Sequence, residues 1–440
     1  MDRVFERKAM RRFKAWRQRG GNHALIVKGA RQVGKSFLVG RFAEEAYEHV
    51  ASFDLVENPA ARGAFLNARD AEDLLMRIGM LAPSPLVPGK TVIVIDEVQK
   101  APEIVTFVKY LVTRGDFDYI LTGSLLGVEL EDIDSFPVGY ATEVQMYPMD
   151  FEEFCWAHGC SKDIRAVLEG CLENEQPVPD YLHERLTNLF HRYLICGGMP
   201  DAIATDVNTG RIDDVRDIQS DIRRQYRRDI SQYAPKDRKL VIRDIFDKIP
   251  SQLSQQNRRF QLSSIENVKR YRQIEDEFLW LTAAGVAYQV CNAERPAMPL
   301  VANQQRRYMK LFSNDVGLLT GAYLKADSIG IMDGRPKANM GGVYENFVAQ
   351  ELCCHGFEPY YFTKAGIGEL DLIAERRDGT ILAFEVKSGR GYKTHTALDN
   401  ALAIRDYGID EAFVLAECNL EREGNVLYLP IYMIGMLANE

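Results

Sequence analysis

The octapeptide GlyAlaArgGlnValGlyLysSer at residues 29–36 constrains this chain more than any other stretch. It follows an apolar run, Ala24–Val27, and precedes Phe37, Leu38, Phe42 and Ala46 at helical spacing. A glycine-rich turn between a buried strand and a helix implies a parallel sheet covered by helices. The residue types have separate uses. Gly29 and Gly34 let the backbone curl until its N–H groups point at phosphate oxygens, with Ala30, Arg31, Gln32 and Val33 lying between them. The helix opening near Lys35 adds the positive end of its dipole. Lys35 is placed to reach β- and γ-phosphates, and the Ser36 hydroxyl to coordinate Mg²⁺. A glycine turn without a ligand is the bland alternative.

A second signal lies downstream. ThrValIleValIle (91–95) reads as a buried parallel strand ending in Asp96–Glu97, which puts two acids at the ligand-binding edge of a sheet. Asp96 would hold Mg²⁺ through water and Glu97 would polarise an attacking water. Two more strands are expected, Val50–Leu55 and Tyr119–Thr122. After the latter, Thr122 or Ser124 either contacts the γ-phosphate or the lytic water, or belongs to a plain turn.

Composition bounds the rest. At about 150 residues per domain, 440 residues suggest three domains. With 46% hydrophobic and 27% charged residues, the chain holds enough apolar material for more than one core, which excludes long disorder and disulfide scaffolds. A net charge of −9 argues against a broad nucleic-acid coat and leaves a local basic face open. The eight cysteines show no paired C-x-x-C spacing, so they read as reduced thiols of a cytosolic protein. Cys155, His158, Cys160 and Cys171 are a conceivable zinc set whose spacing fits no standard finger. No run reaches the ~18 apolar residues of a membrane span, and the basic start of the chain has no apolar signal-peptide core. The expectation is a cytoplasmic protein without a membrane partner.

These motifs resemble the AAA-superfamily ATPases of the large prokaryotic ATP-binding group with an uncharacterised C-terminal domain. The resemblance rests on residues 29–36, IleAspGluValGln (95–99), LeuThrGlySer (121–124) and TyrProMetAspPheGluGluPhe (147–154). It continues through TyrLeuIleCysGlyGlyMetPro (193–200), ArgArgAspIle (227–230), LysLeuPheSerAsnAspValGlyLeuLeu (310–319) and TyrGluAsnPheValAlaGlnGluLeu (344–352). It implies ATP and Mg²⁺ as ligands. One position departs: Gly139–Tyr140 stands where similar proteins carry Gly-Arg, which leaves room for slow hydrolysis and nucleotide acting as a switch.

The expected organisation is an amphipathic basic helix over 1–20, with Val4, Phe5, Met10, Phe13 and Trp16 docking on a P-loop domain of residues 21–158. An anionic partner for the basic face is the alternative. A helical lid or linker (159–240), a winged-helix-like region (241–300) and a C-terminal α/β domain (301–440) follow. In the lid, Arg227 or Arg228 is either an arginine finger or part of a solvated helix face. In the winged-helix-like region, a capping box at Ser263 opens a stripe of Val268, Tyr271, Ile274 and Phe278. Lys269, Arg270 and Arg272 decorate the outside, for DNA or for a lid interface.

The C-terminal signal is GlyGluLeuAspLeuIleAlaGluArgArgAspGlyThrIleLeuAlaPheGluValLysSerGly (368–389). Two apolar strands flank an Asp-Gly turn, and a three-residue loop at 377–379 sets Asp371 opposite Glu385 and Glu369 opposite Lys387. Facing carboxylates repel unless a cation lies between them. Asp371 and Glu385, with the Val386 carbonyl, suit Mg²⁺, Lys387 would stabilise an attacking hydroxide, and Glu345 is a candidate fourth group. The spacing resembles the restriction-endonuclease-like PD-(D/E)XK fold of Holliday-junction-resolvase type. That resemblance implies nucleic acid cut at a metal site. An exposed Glu385–Lys387 ion pair on an inactive scaffold is the alternative. Residues 241–300 and 341–440 are then the candidate DNA contacts, and a homo-oligomer is left open.

Overall fold

The computed structural model describes residues 4–20, 23–124, 139–266, 268, 270–323, 330–332, 339–437 and 439. The chain forms two compact units, one of Glu6–Tyr147 with Ala283–Gly285, the other of Met1–Phe5, Pro148–Thr282 and Val286–Glu440.

In the first unit the order is α1 (Ala9–Gln18), β1 (Ala24–Lys28), α2 (Lys35–Ala46), β2 (His49–Asp54), α3 (Pro59–Leu66), α4 (Ala71–Leu81), β3 (Thr91–Asp96), α5 (Ile104–Arg114), β4 (Asp118–Thr122) and β5 (Ala141–Gln145). All five strands are parallel, in the order β2-β3-β4-β1-β5. β3 is buried at every position, which explains its unbroken Val/Ile run: a parallel strand covered on both faces has no polar side to present. One core joins Ile26, Phe53, Ile93, Ile95 and Leu121 of the sheet to Phe65 and Leu74 of α3 and α4 and to Val108 of α5. α1 is fastened by Phe13 and Trp16, whose rings meet Phe42 of α2 edge-on at 5.6 and 6.3 Å. β5 was not expected, because AlaThrGluValGln carries the polar composition of an edge strand.

The second unit opens on α6 (Phe151–Ala157), α7 (Asp163–Glu173), α8 (Asp180–Cys196), α9 (Pro200–Thr209), α10 (Ile212–Tyr233) and α11 (Lys239–Leu253). Then come α12 (Glu275–Ala283), β6 (Ala287–Ala293), β7 (Gln304–Ser313), α13 (Val316–Thr320), α14 (Gly341–Cys354), β8 (Tyr360–Lys364), β9 (Gly368–Glu375), β10 (Ile381–Val386), α15 (Thr396–Leu402), β11 (Glu411–Ala416), β12 (Glu421–Glu423) and β13 (Val426–Pro430). The strands build one mixed sheet in the order β12-β13-β11-β10-β9-β8-β6-β7. The β9–β10 hairpin pairs Glu375 with Ile381 and Leu372 with Phe384, and Arg376 donates its N–H to the Thr380 carbonyl at 2.9 Å, so the loop is residues 377–379.

Three expectations do not hold. The helix from Ser263 does not form among the described residues: 262–264 and 271–273 are single 3₁₀ turns, and Ile265, Tyr271, Ile274 and Phe278 are buried through turns and α12. Lys269 lies outside the described residues. The strand expected as a wing is β6, which pairs antiparallel with β7 and parallel with β8. A division at 300/301 would therefore cut a hairpin belonging to the C-terminal sheet. Finally, residues 148–158 lie with the second unit and α1 with the first, so the cut at 20/21 separates a helix from the core it packs on.

Candidate functional site

The loop after β1 has the backbone a phosphate cradle needs. Gly29, Gln32 and Gly34 adopt φ of 149°, 69° and 86°. A side chain on Gly29 would collide with the Met146 carbonyl, so only glycine fits where the chain beyond β5 passes the loop. Lys35 is 6% exposed at the first turn of α2, and its Nζ donates to the carbonyls of Gly29 (3.1 Å) and Ala30 (2.8 Å). Ser36 is exposed beside it, while Ala30 and Val33 are buried and Arg31 is half-buried. Arg7 braces the loop from the N-terminal side: Nη1 donates to the Val33 carbonyl at 2.8 Å and Nη2 to the Tyr147 carbonyl at 2.7 Å. Sequence reasoning missed this, since a basic stretch gives no sign of which arginine turns inward.

The acids sit at the carboxyl ends of the neighbouring strands. Asp96 ends β3 and is buried; its Oδ1 accepts from the Thr122 hydroxyl of β4 and from the Glu97 N–H at 2.9 Å. Thr122 thus orients the aspartate. Glu97 has φ 54° and ψ 44°, a left-handed conformation unfavourable for a side-chain-bearing residue, of the kind that collects at functional sites. Its Oε2 accepts from Gln99 Nε2 and, at 3.4 Å, from the Ser124 hydroxyl. Gln99 was not anticipated. Tyr140 is half-buried against the sheet core, with Lys109 Nζ 5.4 Å from its ring centre.

In the second unit a charge cluster forms around a buried lysine absent from the sequence candidates. Lys310 of β7 is 0% exposed, and its Nζ lies 3.0 Å from Glu345 Oε2 and 2.8 Å from Glu369 Oε1. It also donates to the Asp371 carbonyl at 3.3 Å. Arg258 pairs with Glu345 Oε1 and stands 4.0 Å from Asp371 Oδ1. Arg259 donates to Glu369 at 3.3 Å and to Thr363 at 2.8 Å. Glu345, expected as a fourth metal-facing group, is instead held by two cations. Glu369, expected opposite Lys387, is committed to Lys310 and Arg259. The reason is register: the β9–β10 ladder stops at Leu372–Phe384, and Val386 turns its N–H onto Asp371 Oδ2 at 2.8 Å.

Lys387 Nζ lies 2.7 Å from Glu385 Oε1, while Glu385 Oε2 is buried without a hydrogen-bond partner. Burial and then the neighbouring Asp371 charge push Glu385 up to about 7. Burial pushes Glu345 up to about 8, against the pull of Lys310 and Arg258. Burial acts to raise Glu369 as well, but Lys310 and Arg259 hold it below the usual range.

Other candidates fall elsewhere in this unit. Arg227 of α10 donates to Asp247 Oδ1 at 2.7 Å and Arg228 is exposed. The conceivable zinc set is not assembled: His158 Nε2 lies 2.9 Å from Asp206 Oδ2, and the Cys171 thiol donates to the Pro177 carbonyl at 3.8 Å. Among the described residues, no helix is long and apolar enough to cross a membrane.

Residues 21–155 match the family described as an AAA domain. With the parallel sheet, the 29–36 cradle and the strand-end acids already in view, that match decides the class of this region. Residues 21–155 are an AAA-type P-loop domain. Two domains of unknown function match beyond it, DUF8612 over residues 187–328 and DUF4143 over 340–434. No curated protein matches the chain.

Similar solved structures include a Walker-type ATPase of Pyrococcus abyssi, 16% identical over 73% of this chain and 96% of that one, with a TM-score of 0.45. The ADP form of the Aeropyrum pernix ORC2 protein is 12% identical over 74% and 92% of the two chains, at 0.29. Thermotoga maritima RuvB is 12% identical over 70% and 92%, at 0.30. At these scores the assignment rests on the AAA-domain match and the local geometry.

Proposed function

We propose that this protein binds ATP at residues 29–36, hydrolyses it, and couples binding and hydrolysis to its C-terminal α/β domain. The observation that carries the reading is the loop itself: Gly29, Gln32 and Gly34 hold it in left-handed backbone at the N-terminus of α2, where the Lys35 ammonium lies beside the amides that would face a phosphate. The donor set suits a hard cation, with the Ser36 hydroxyl and the Asp96 carboxylate as oxygen ligands. Mg²⁺ held there would neutralise charge on the phosphates. Gly29, Gly34 and the amides between them bind the phosphate oxygens, and Lys35 neutralises the β/γ region. Thr122 fixes the Asp96 carboxylate, and Glu97, held by Gln99 and Ser124, orients and deprotonates the attacking water. Arg227 or Arg228 would supply a finger, in this chain or a neighbouring copy. Phosphate release by the wild type, lost in Lys35→Ala and in Glu97→Gln, tests this. Wild-type release at the Glu97→Gln level would favour a binding-only switch, which Tyr140 in place of a sensing arginine makes reasonable.

The orphaned Glu385 Oε2 favours a second reading, nucleic-acid cleavage at the β9–β10 strand ends. Asp371 and Glu385 would hold Mg²⁺ and Lys387 would stabilise the attacking hydroxide, in the manner of a restriction-endonuclease-like site. Divalent-metal-dependent strand breaks, abolished by Asp371→Ala or Lys387→Ala, support it. No cutting of duplex or branched DNA, with or without ATP, ends it.

A further inference from the structure

The way α6 ends brings together two thiols that neither reading of function uses. The helix stops at Ala157, and Gly159 beyond it takes a left-handed φ of 78°. The chain then doubles back: the Cys160 N–H donates to the Cys155 carbonyl at 2.9 Å and the Gly159 N–H to the Trp156 carbonyl at 3.0 Å. These two bonds make a Schellman cap, in which the residue just past the glycine packs its side chain on the third residue from the helix end. That contact is commonly apolar. Here both residues are cysteines, in the run CysTrpAlaHisGlyCys (155–160).

Both are free thiols, 6% and 8% exposed, and their sulfurs share a hydrogen bond. The two have different surroundings. Burial pushes the Cys155 thiol up, so it keeps its proton and is the donor. Chiefly that hydrogen bond, helped by the charge of Arg185, holds Cys160 down to about 7 against its own burial. A thiolate is the nucleophilic form of cysteine. Cys160 is therefore the nucleophile, with Cys155 already in contact behind it.

Access comes from one side. Cys155 and Cys160 both line a cavity of about 30 Å³, walled by Phe151, Trp156, Ile164 and Leu168 among others. That is room for a molecule the size of one or two waters. Its mostly apolar wall admits a neutral molecule more readily than an ion.

We propose that Cys160 and Cys155 are a peroxide-reactive pair that closes to an intramolecular disulfide. The Cys160 thiolate attacks one oxygen of hydrogen peroxide and the O–O bond breaks. The departing hydroxide takes up the proton that Cys160 had released, leaving Cys160 as a sulfenic acid. The Cys155 sulfur then attacks Cys160; the S–S bond forms, the S–O bond breaks, and the hydroxide leaves as water with the Cys155 proton. Two thiols and one peroxide thus become one disulfide and two waters, and an added dithiol reverses the change.

The test is hydrogen peroxide titration of the folded full-length protein, followed by alkylation, trypsin digestion and mass spectrometry. Both cysteines fall in one tryptic peptide, 115–162, which holds no other. In wild type this peptide should escape alkylation and lose the mass of two hydrogens, and dithiothreitol should restore it. The buried Cys196 and Cys291 should stay alkylatable throughout. Cys155→Ser should stop at a sulfenic acid on Cys160, trapped by dimedone, while Cys160→Ser should give neither product; melting curves check that both variants fold. No disulfide in folded wild type, equal oxidation of Cys196 and Cys291, or dimedone capture on Cys155 in Cys160→Ser would overturn the proposal. Should a variant melt early, the wild-type peptide map alone decides.

Discussion

Three residues carry most of the argument at the atomic scale. Lys35 is buried with its Nζ on the Gly29 and Ala30 carbonyls, and the proposed function brings a phosphate to that ammonium. Its removal should weaken nucleotide binding at least ~10-fold, since a hydrogen bond to a charged group is worth about 1.5–3 kcal/mol; a fluorescent nucleotide titration reads this directly. Glu97 holds a strained backbone, and Glu97→Gln should leave that backbone and the affinity intact while phosphate release falls ~100-fold or more. Asp315 offers a check independent of ligand. It is buried and caps α13, and burial, opposed by the N–H groups of Gly198, Leu318 and Gly317, pushes it up to about 6. A carboxyl raised in the folded state binds its proton more tightly there than in the unfolded chain. Its contribution is therefore full below the unfolded value of about 4 and is lost as pH rises through about 6. Urea unfolding of wild type and Asp315→Asn should show the wild-type advantage shrinking by about 2–3 kcal/mol between pH 4 and pH 7; a constant difference would contradict this.

At the scale of elements, several buried strands were legible and the polar ones were not, while the buried β13 also went unread. Thr91–Asp96 and Ile381–Val386 are apolar runs bounded by turn signals, and both are fully buried strands. β5 and β7 were illegible because Glu143, Arg306, Arg307 and Lys310 break the apolar pattern, and strand pairing decides them instead. The hairpin loop at 377–379 was readable from Asp-Gly, yet the partners of Glu345 and Glu369 were not, since Lys310 and Arg258 arrive from distant segments. The phosphate loop was legible because its whole geometry is local; Arg7 and Gln99 were not, because nothing local marks them. α1 supplies an element-scale prediction: Phe13 is 0% exposed against Phe42, so Phe13→Ala should destabilise the first unit by about 3–5 kcal/mol in thermal or urea melts.

For the molecule as a whole, the proposal is that nucleotide bound in the first unit is coupled to the charged strand-end site of the second. If they are coupled, Mg·ATP should change hydrogen exchange around Lys310 and Glu385 in wild type and leave it unchanged in Lys35→Ala. All of this rests on a triphosphate occupying the loop at residues 29–36. Calorimetric titration of Mg·ATP into wild type and Lys35→Ala is the most direct trial. The account predicts one site per chain in wild type and its loss, or weakening at least ~10-fold, in the variant. No heat of binding in wild type at millimolar nucleotide, or equal affinity in both proteins, would contradict it.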